Sequence, residues 1–341
     1  MKRLTYAMTG AGVDAKANAI RELTKSLTYK KKRFHNIVRG HYTSLIDFGD
    51  IYLTLCTDGV GSKILVADTL EKWDTIGIDC IAMNVNDTIC VGATPISFVD
   101  YIACNSPQKE VLRGIGKGLN RGAKEAGVEI VGGEVALLPE MINGVDLVGA
   151  CLGYVDKKRI ITGERIRPGD LLIGVSSSGI HSNGLTLARR VVAEHGVKLT
   201  DEVVFGGERF VIGEELLIPT AIYVKDILSV CRRFDVKGIA HITGGGLRKL
   251  NRIKHDVMFK ITHLPEPPRI FRLIAEWGNI HIREMYQTFN MGIGMILAVS
   301  REECEDVIQH VEKRRQAWMI GEVMKGSGVE IPGHRIRYPR Y

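Results

Sequence analysis

Apolar positions fall into short runs punctuated by glycine and by clustered polar residues, a pattern of strands and helices in close alternation. A helix is expected over 18–27, followed by the basic run Lys30-Lys31-Lys32-Arg33, which reads as a solvated loop. Ile51-Tyr52-Leu53-Thr54-Leu55-Cys56 predicts a strand ending at Thr57-Asp58-Gly59-Val60-Gly61-Ser62-Lys63. Residues 75–91 are apolar nearly all round and predict a buried helix, yet they carry Asp79, Asn84, Asn86 and Asp87. Polar groups in such a place need partners, because an unpaired buried one costs several kcal/mol. Gly92 stops the helix and 96–104 predicts a strand with one acid, Asp100. Ser106-Pro107 reads as a helix start, Val111, Leu112, Ile115 and Leu119 keep helical spacing, and Gly127 ends it. A strand over 128–131 then closes in Gly132-Gly133-Glu134, so three element ends present acids and glycines to one edge.

Residues 154–170 are polar and close with Pro168-Gly169, which divides the chain into 1–165 and 166–341. The second half opens with a strand over 171–175, the loop Ser176-Ser177-Ser178-Gly179-Ile180-His181-Ser182-Asn183-Gly184, and an amphipathic helix over 185–195 stopped by Gly196. Strand, glycine loop and helix start in that order aim backbone amides at an anion. Pro219 is expected to open another helix, His241-Ile242-Thr243-Gly244-Gly245-Gly246 repeats the strand-to-glycine theme, and a strand pair is expected at 292–299 and 319–323.

A length of 341 residues agrees with two domains. With 45% hydrophobic and 25% charged residues, the chain has the make-up of a globular protein. Its +7 charge favours anionic partners. The basic residues are dispersed and only 6% of the chain is aromatic, which argues against the rival reading from another class, a nonspecific nucleic-acid-binding protein. The seven cysteines include no CxxC, so reduced thiols are expected rather than a zinc ribbon or a disulfide framework. No run approaches the ~20 apolar residues of a membrane span, and the N-terminus lacks a signal-peptide core, so the expected compartment is the cytoplasm, with no membrane partner.

Asp58 at a strand end could hold Mg²⁺, with Gly59 and Gly61 admitting phosphate and Lys63 neutralising it; the same residues also read as a plain Asp-Gly turn. Asp87 and Glu134 add acids beside amides or glycines, and together the three point to a shared metal-phosphate site, although a salt bridge would account for any one of them. Asp100 is a fourth candidate. His181 precedes a helix start whose dipole favours the neutral ring, a usable base or donor, and His241 stands similarly beside Thr243. Neither histidine has zinc-site spacing. The Walker pattern is absent. Gly10-Ala11-Gly12-Val13-Asp14-Ala15 matches GxGxxA, but the expected acid is replaced by the 30–33 basic run. The residues alone reach a metal-phosphate enzyme.

Several runs go further: the Asp58 and Val85-Asn86-Asp87 segments, Gly132-Gly133-Glu134, the 177–184 loop, Ala240-His241-Ile242-Thr243-Gly244-Gly245-Gly246, and Glu284-Met285-Tyr286-Gln287-Thr288-Phe289-Asn290-Met291-Gly292. Together they resemble the phosphoribosylformylglycinamidine cyclo-ligase family nearly end to end. The resemblance implies a two-domain α+β and α/β chain: an N-terminal half whose sheet pairs into a barrel across a homodimer, and a C-terminal α/β half with a mixed sheet. It also implies ATP and Mg²⁺ as cofactors and cyclisation of formylglycinamidine ribonucleotide through a phosphorylated formyl oxygen. Asp58, Asp87 and Glu134 match the family's metal-associated acids, and Lys63 the phosphate neighbour. Gly59, Gly61, Ser177, Gly179, Asn183, His241, Thr243 and Asn290 match nucleotide-site positions, and His181 and Lys25 catalytic ones. Two stretches depart. The glycine-rich flap is replaced by residues 39–49, similar to archaeal-type members, and Val135-Ala136-Leu137-Leu138-Pro139 lacks a hydroxyl and a carboxylate beside Glu134. Thiamine-monophosphate kinase, the rival within the superfamily, shares the acids but not the His181 loop together with the Asn290 segment.

Overall fold

The computed structural model describes residues 13–29, 34, 35, 37 and 41–339. The basic run at 30–33, the Gly10–Gly12 portion of the GxGxxA match, and Arg39 and Gly40 of the flap lie outside them.

After helix α1 (Val13–Ser26), the first half builds a five-stranded sheet from β1 (Ile46–Phe48), β2 (Ile51–Gly59), β3 (Thr94–Cys104), β4 (Glu129–Leu137) and β5 (Val145–Asp156), in the order β1-β2-β5-β3-β4. α2 (Ile64–Leu70), α3 (Ile76–Ile89) and α4 (Lys109–Ala126) complete it. α4 connects the parallel strands β3 and β4 and packs on α3. The helices approach closely because three glycines let them: a Cβ on Gly77 would lie 2.1 Å from Leu119 N, one on Gly118 2.7 Å from Asp74 O, and one on Gly122 3.1 Å from Ile81 Cβ.

The second half forms a seven-stranded mixed sheet in the order β14-β13-β10-β12-β6-β11-β9. Its strands are β6 (Leu171–Ser176), β9 (Gly238–His241), β10 (Val257–Ile261), β11 (Ile293–Val299), β12 (Ala317–Lys325), β13 (Gly328–Ile331) and β14 (Ile336–Tyr338). The hairpin β7 (Glu202–Phe205) and β8 (Glu208–Val211) and the helices α5 (Leu185–Glu194), α6 (Ile212–Leu217), α7 (Val224–Cys231), α8 (Arg269–Trp277), α9 (Ile282–Thr288) and α10 (Cys304–Glu312) surround it.

The two sheets differ in cover. Every residue of β9 and β11 is buried, as expected of strands packed on both faces. On the first sheet, Thr54, Phe98, Leu147 and Cys151 face α3 and are buried, whereas Phe48, Leu55, Val99, Tyr101 and Tyr154 on the opposite face are 40–50% exposed.

Several sequence expectations need correction. The first strand runs on through Asp58 to Gly59, and the one after α4 runs through Gly132, Gly133 and Glu134 to Leu137. Pro219 lies in a loop between α6 and α7 and opens neither. The expected strand pair is β11 and β12, but both pair with β6, which separates them. β5, at the centre of the first sheet, was not foreseen, and it takes the first three residues of the polar 154–170 segment.

Candidate functional site

α3 explains its own polar residues. It lies against β2, β3, β5 and α4 on one side and against α7 and β9 on the other, so it is buried all round at the seam between the halves. Asn84 Nδ2 donates to Asp58 O (3.1 Å) and Cys80 O (2.9 Å). Asn86 crosses the seam: its Nδ2 donates to Ala221 O (2.8 Å) and its Oδ1 accepts from Tyr223 N (3.0 Å). Asp79 crosses it as well, accepting from Thr220 N (2.8 Å).

In the last turn of α3, Asp87 Oδ1 meets His241 Nδ1 at 2.7 Å. His241 ends β9 and is fully buried, and its Nε2 has no hydrogen-bond partner among the described residues. A carboxylate on Nδ1 fixes the proton there and leaves Nε2 as the basic nitrogen. Sequence reasoning named both residues but not their pairing. Asp58 lies near enough to feel Asp87, Lys249 and His241, and its carboxyl is raised above its ordinary value by desolvation first and by the Asp87 charge second. His41 was not singled out. Burial, with a smaller contribution from Arg252, lowers its ring to about 4, and neither ring nitrogen has a partner among the described residues. Its only sequence signal was its place in the departing 39–49 stretch.

Glu134 does not join these acids. Asp58, Gly149, Asp100 and Gly133 face one another across β2, β5, β3 and β4, which puts their side chains on the α3 face. Glu134 is paired with Tyr101 one position on, and because strand side chains alternate it projects from the opposite, exposed face. The three-acid site is therefore not assembled within one chain, and no group of three His, Cys, Asp or Glu among the described residues could hold a metal. Asp58 and Asp87 remain: two carboxylates close enough for the charge of Asp87 to act on Asp58 fit Mg²⁺, which takes one or two carboxylates and completes its shell with water and phosphate oxygens.

Lys63 is elsewhere than expected. Lys63 is fully buried, donates to Asp79 Oδ1 (2.9 Å) and Ile218 O (2.7 Å), and burial pulls its ammonium below the ordinary value against the attraction of Asp79. It neutralises Asp79 rather than a phosphate. Lys25, on α1, pairs with Glu22 of the same helix at 2.6 Å and is exposed.

The glycine loops of the second half interlock. Asn290 Oδ1 accepts from Ser177 Oγ (3.0 Å) and Gly292 N (2.9 Å), while its Nδ2 donates to Gly179 O (2.9 Å). The Asn290 amide thus holds two loops together. Gly61 sits at φ +66° with open space where a Cβ would be, and Gly59 lies in β2 with Leu147 O 3.3 Å from such a Cβ. Asn183 lies against Gly244, where a Cβ would come within 2.8 Å of its Oδ1, and Thr243 is buried beside it in sequence. His181 is buried at φ +61°, a left-handed conformation rare for a side chain of its size, and its Nε2 accepts from Ser178 N (3.2 Å). Burial, more than the nearby His241 and Lys63, holds its pKa well down, so desolvation keeps it neutral. Its Nδ1–H faces no partner among the described residues.

Residues 40–155 match the AIR synthase related protein, N-terminal domain, and residues 167–333 the corresponding C-terminal domain. Phosphoribosylformylglycinamidine cyclo-ligase of Methanocaldococcus jannaschii is 46% identical over 98% of this chain and 95% of its own length. That of Pyrococcus furiosus is 45% identical over 98% and 99%. Among solved structures, a ThiL protein complexed with AMPPCP and TMP aligns over 100% of this chain and 98% of its own, with TM-score 0.67 and 17% identity. Hydrogenase maturation protein HypE in complex with ATP aligns over 83% and 82%, with TM-score 0.61 and 16% identity. These solved structures share the fold, and the end-to-end identity goes further: the chain belongs to the phosphoribosylformylglycinamidine cyclo-ligase family.

Proposed function

We propose that the protein closes the imidazole ring of aminoimidazole ribonucleotide from formylglycinamidine ribonucleotide, using ATP, in purine biosynthesis. Identity of 44–46% over nearly the whole chain to cyclo-ligases carries this reading. Transfer of the γ-phosphoryl group to the formyl oxygen turns a poor leaving group into a good one; the amidine-side nitrogen then attacks that carbon and phosphate departs. Asp87 holds His241 in the Nδ1–H tautomer, and the free Nε2 takes the proton from the attacking nitrogen. Asp58 and Asp87 would hold Mg²⁺, which supplies charge neutralisation at the transferring phosphoryl group. The interlocked 177–184 and 290–292 segments shape the wall of the site, and the His181 Nδ1–H serves as a neutral donor inside it.

The exposed apolar face of the first sheet supports a homodimer that covers it, bringing Glu134 to the partner. The division at 165/166 falls between the two sheets. Seven free cysteines, with no helix among the described residues long and apolar enough to cross a membrane, support a cytoplasmic place. Incubation with ATP, Mg²⁺ and formylglycinamidine ribonucleotide should yield aminoimidazole ribonucleotide, ADP and phosphate. ATP-dependent phosphorylation of thiamine monophosphate without ring closure would replace this reading with the kinase one.

A further inference from the structure

Asp79 has no part in the chemistry described above, yet four donors converge on one of its oxygens. Oδ1 accepts from Lys63 Nζ (2.9 Å), Ser182 Oγ (3.1 Å), Thr220 N (2.8 Å) and Thr220 Oγ1 (2.5 Å), and the carboxylate is fully buried. A buried ion pair gains little stability by itself, since desolvation offsets the attraction. The neutral donors show what this one holds. Ser182 directly follows His181, and Thr220 follows Pro219, whose carbonyl accepts from Ser178 Oγ (2.6 Å). The 176–184 loop is therefore tied to the first half on both sides of His181, at Ser182 directly and at Ser178 through the 219–220 turn. Between those ties stands the left-handed His181, with its Nε2 on Ser178 N. Such a conformation persists only where its surroundings over-determine it.

We propose that Asp79, with Lys63 as its counter-ion, is a positioning residue that fixes the His181 loop of the second half against the Asp58–Asp87 side of the site. The proposal rests on the cyclo-ligase reading for its kinetic consequence but not for its structural one. Thr220→Val and Ser182→Ala each remove a hydroxyl and leave the Lys63–Asp79 pair intact. Each should lower kcat for ring closure ~10- to 100-fold, the cost of a small misplacement of reacting groups. KM for ATP should stay within about twofold. Amide hydrogen exchange over 177–183 should accelerate at least ~10-fold in the full-length protein. Thr220→Ser keeps the hydroxyl and should restore both readouts. Unchanged kcat and exchange in both variants, or a loss that Thr220→Ser does not recover, would overturn the proposal. Should Thr220→Val not fold, Ser182→Ala, at a half-exposed position, decides alone. Absence of ring closure by the wild type would sink the cyclo-ligase reading instead, and hydrogen exchange would then settle whether Asp79 holds the loop.

Discussion

The two sheets were built to different degrees of completeness. β6, β9 and β11 are buried almost throughout, β9 in part beneath α3 of the first half, so the second sheet is covered within the chain. The first sheet has one face on α3 and one on solvent, where Phe48, Leu55, Val99, Tyr101 and Tyr154 stand half open. Ile20 and Leu23 on α1, and Leu27 just beyond its end, add further exposed apolar side chains. Single exposed apolar residues are ordinary on a protein surface, but a contiguous patch marks a contact. One sheet is covered within the chain, and the other leaves a face open.

The comparison can be broken most severely at the seam. Lys63→Met leaves Asp79 buried without its cation and should cost about 3–5 kcal/mol in denaturant titration; Lys63→Met combined with Asp79→Asn should recover much of that. Stability unchanged in the single variant would mean that the pair is not intact in solution. Next, Leu297→Ala in β11, fully buried, should cost about 2–5 kcal/mol, whereas Leu55→Ala on the bare face should leave the monomer within about 0.5 kcal/mol and weaken self-association instead. Sedimentation measures the second effect, and a wild type that is monomeric at micromolar concentration would remove the dimer. Asp87→Asn should cut turnover at least ~100-fold with the fold intact; near-normal turnover would remove both the His241 tautomer argument and the metal assignment.

The smallest effect concerns acid. His41 is held at about 4 against an ordinary 6.5, so the folded state disfavours its proton. Its contribution is present above the unfolded value and is lost as pH falls from 6.5 towards 4. The expected loss is about 1–3 kcal/mol at most, and His41→Gln should flatten that part of the pH–stability curve. An identical curve in the variant would mean the ring is not buried in solution.

Much of this was legible in the residues. An apolar run carrying Asp79, Asn86 and Asp87 announced that a buried helix needed partners, and the helix, the glycine stops and the 176–184 loop followed from spacing. The partners themselves were not readable: Thr220 lies 141 residues from Asp79, and nothing local says which cation a carboxylate will meet. That is why Lys63 was aimed at phosphate although it sits under Asp79. Glu134 differs for another reason: strand parity sends it to the face opposite Asp58 and Asp100 within one chain, which a linear motif does not show. β5 was missed because glycines at 149 and 153 interrupt its alternation, and those glycines are there to admit the Phe98 ring and the Thr54 and Thr88 side chains.

The all-round burial of α3 bears on how the chain is put together in time. A helix that serves as interior to both halves gives neither a finished nucleus: without residues 220–223, Asp79 and Asn86 would face water from a surface otherwise made of isoleucine, methionine and alanine. The two halves should therefore melt as one calorimetric transition, and a ribosome that has released only the first of them will be holding a folding intermediate rather than a domain.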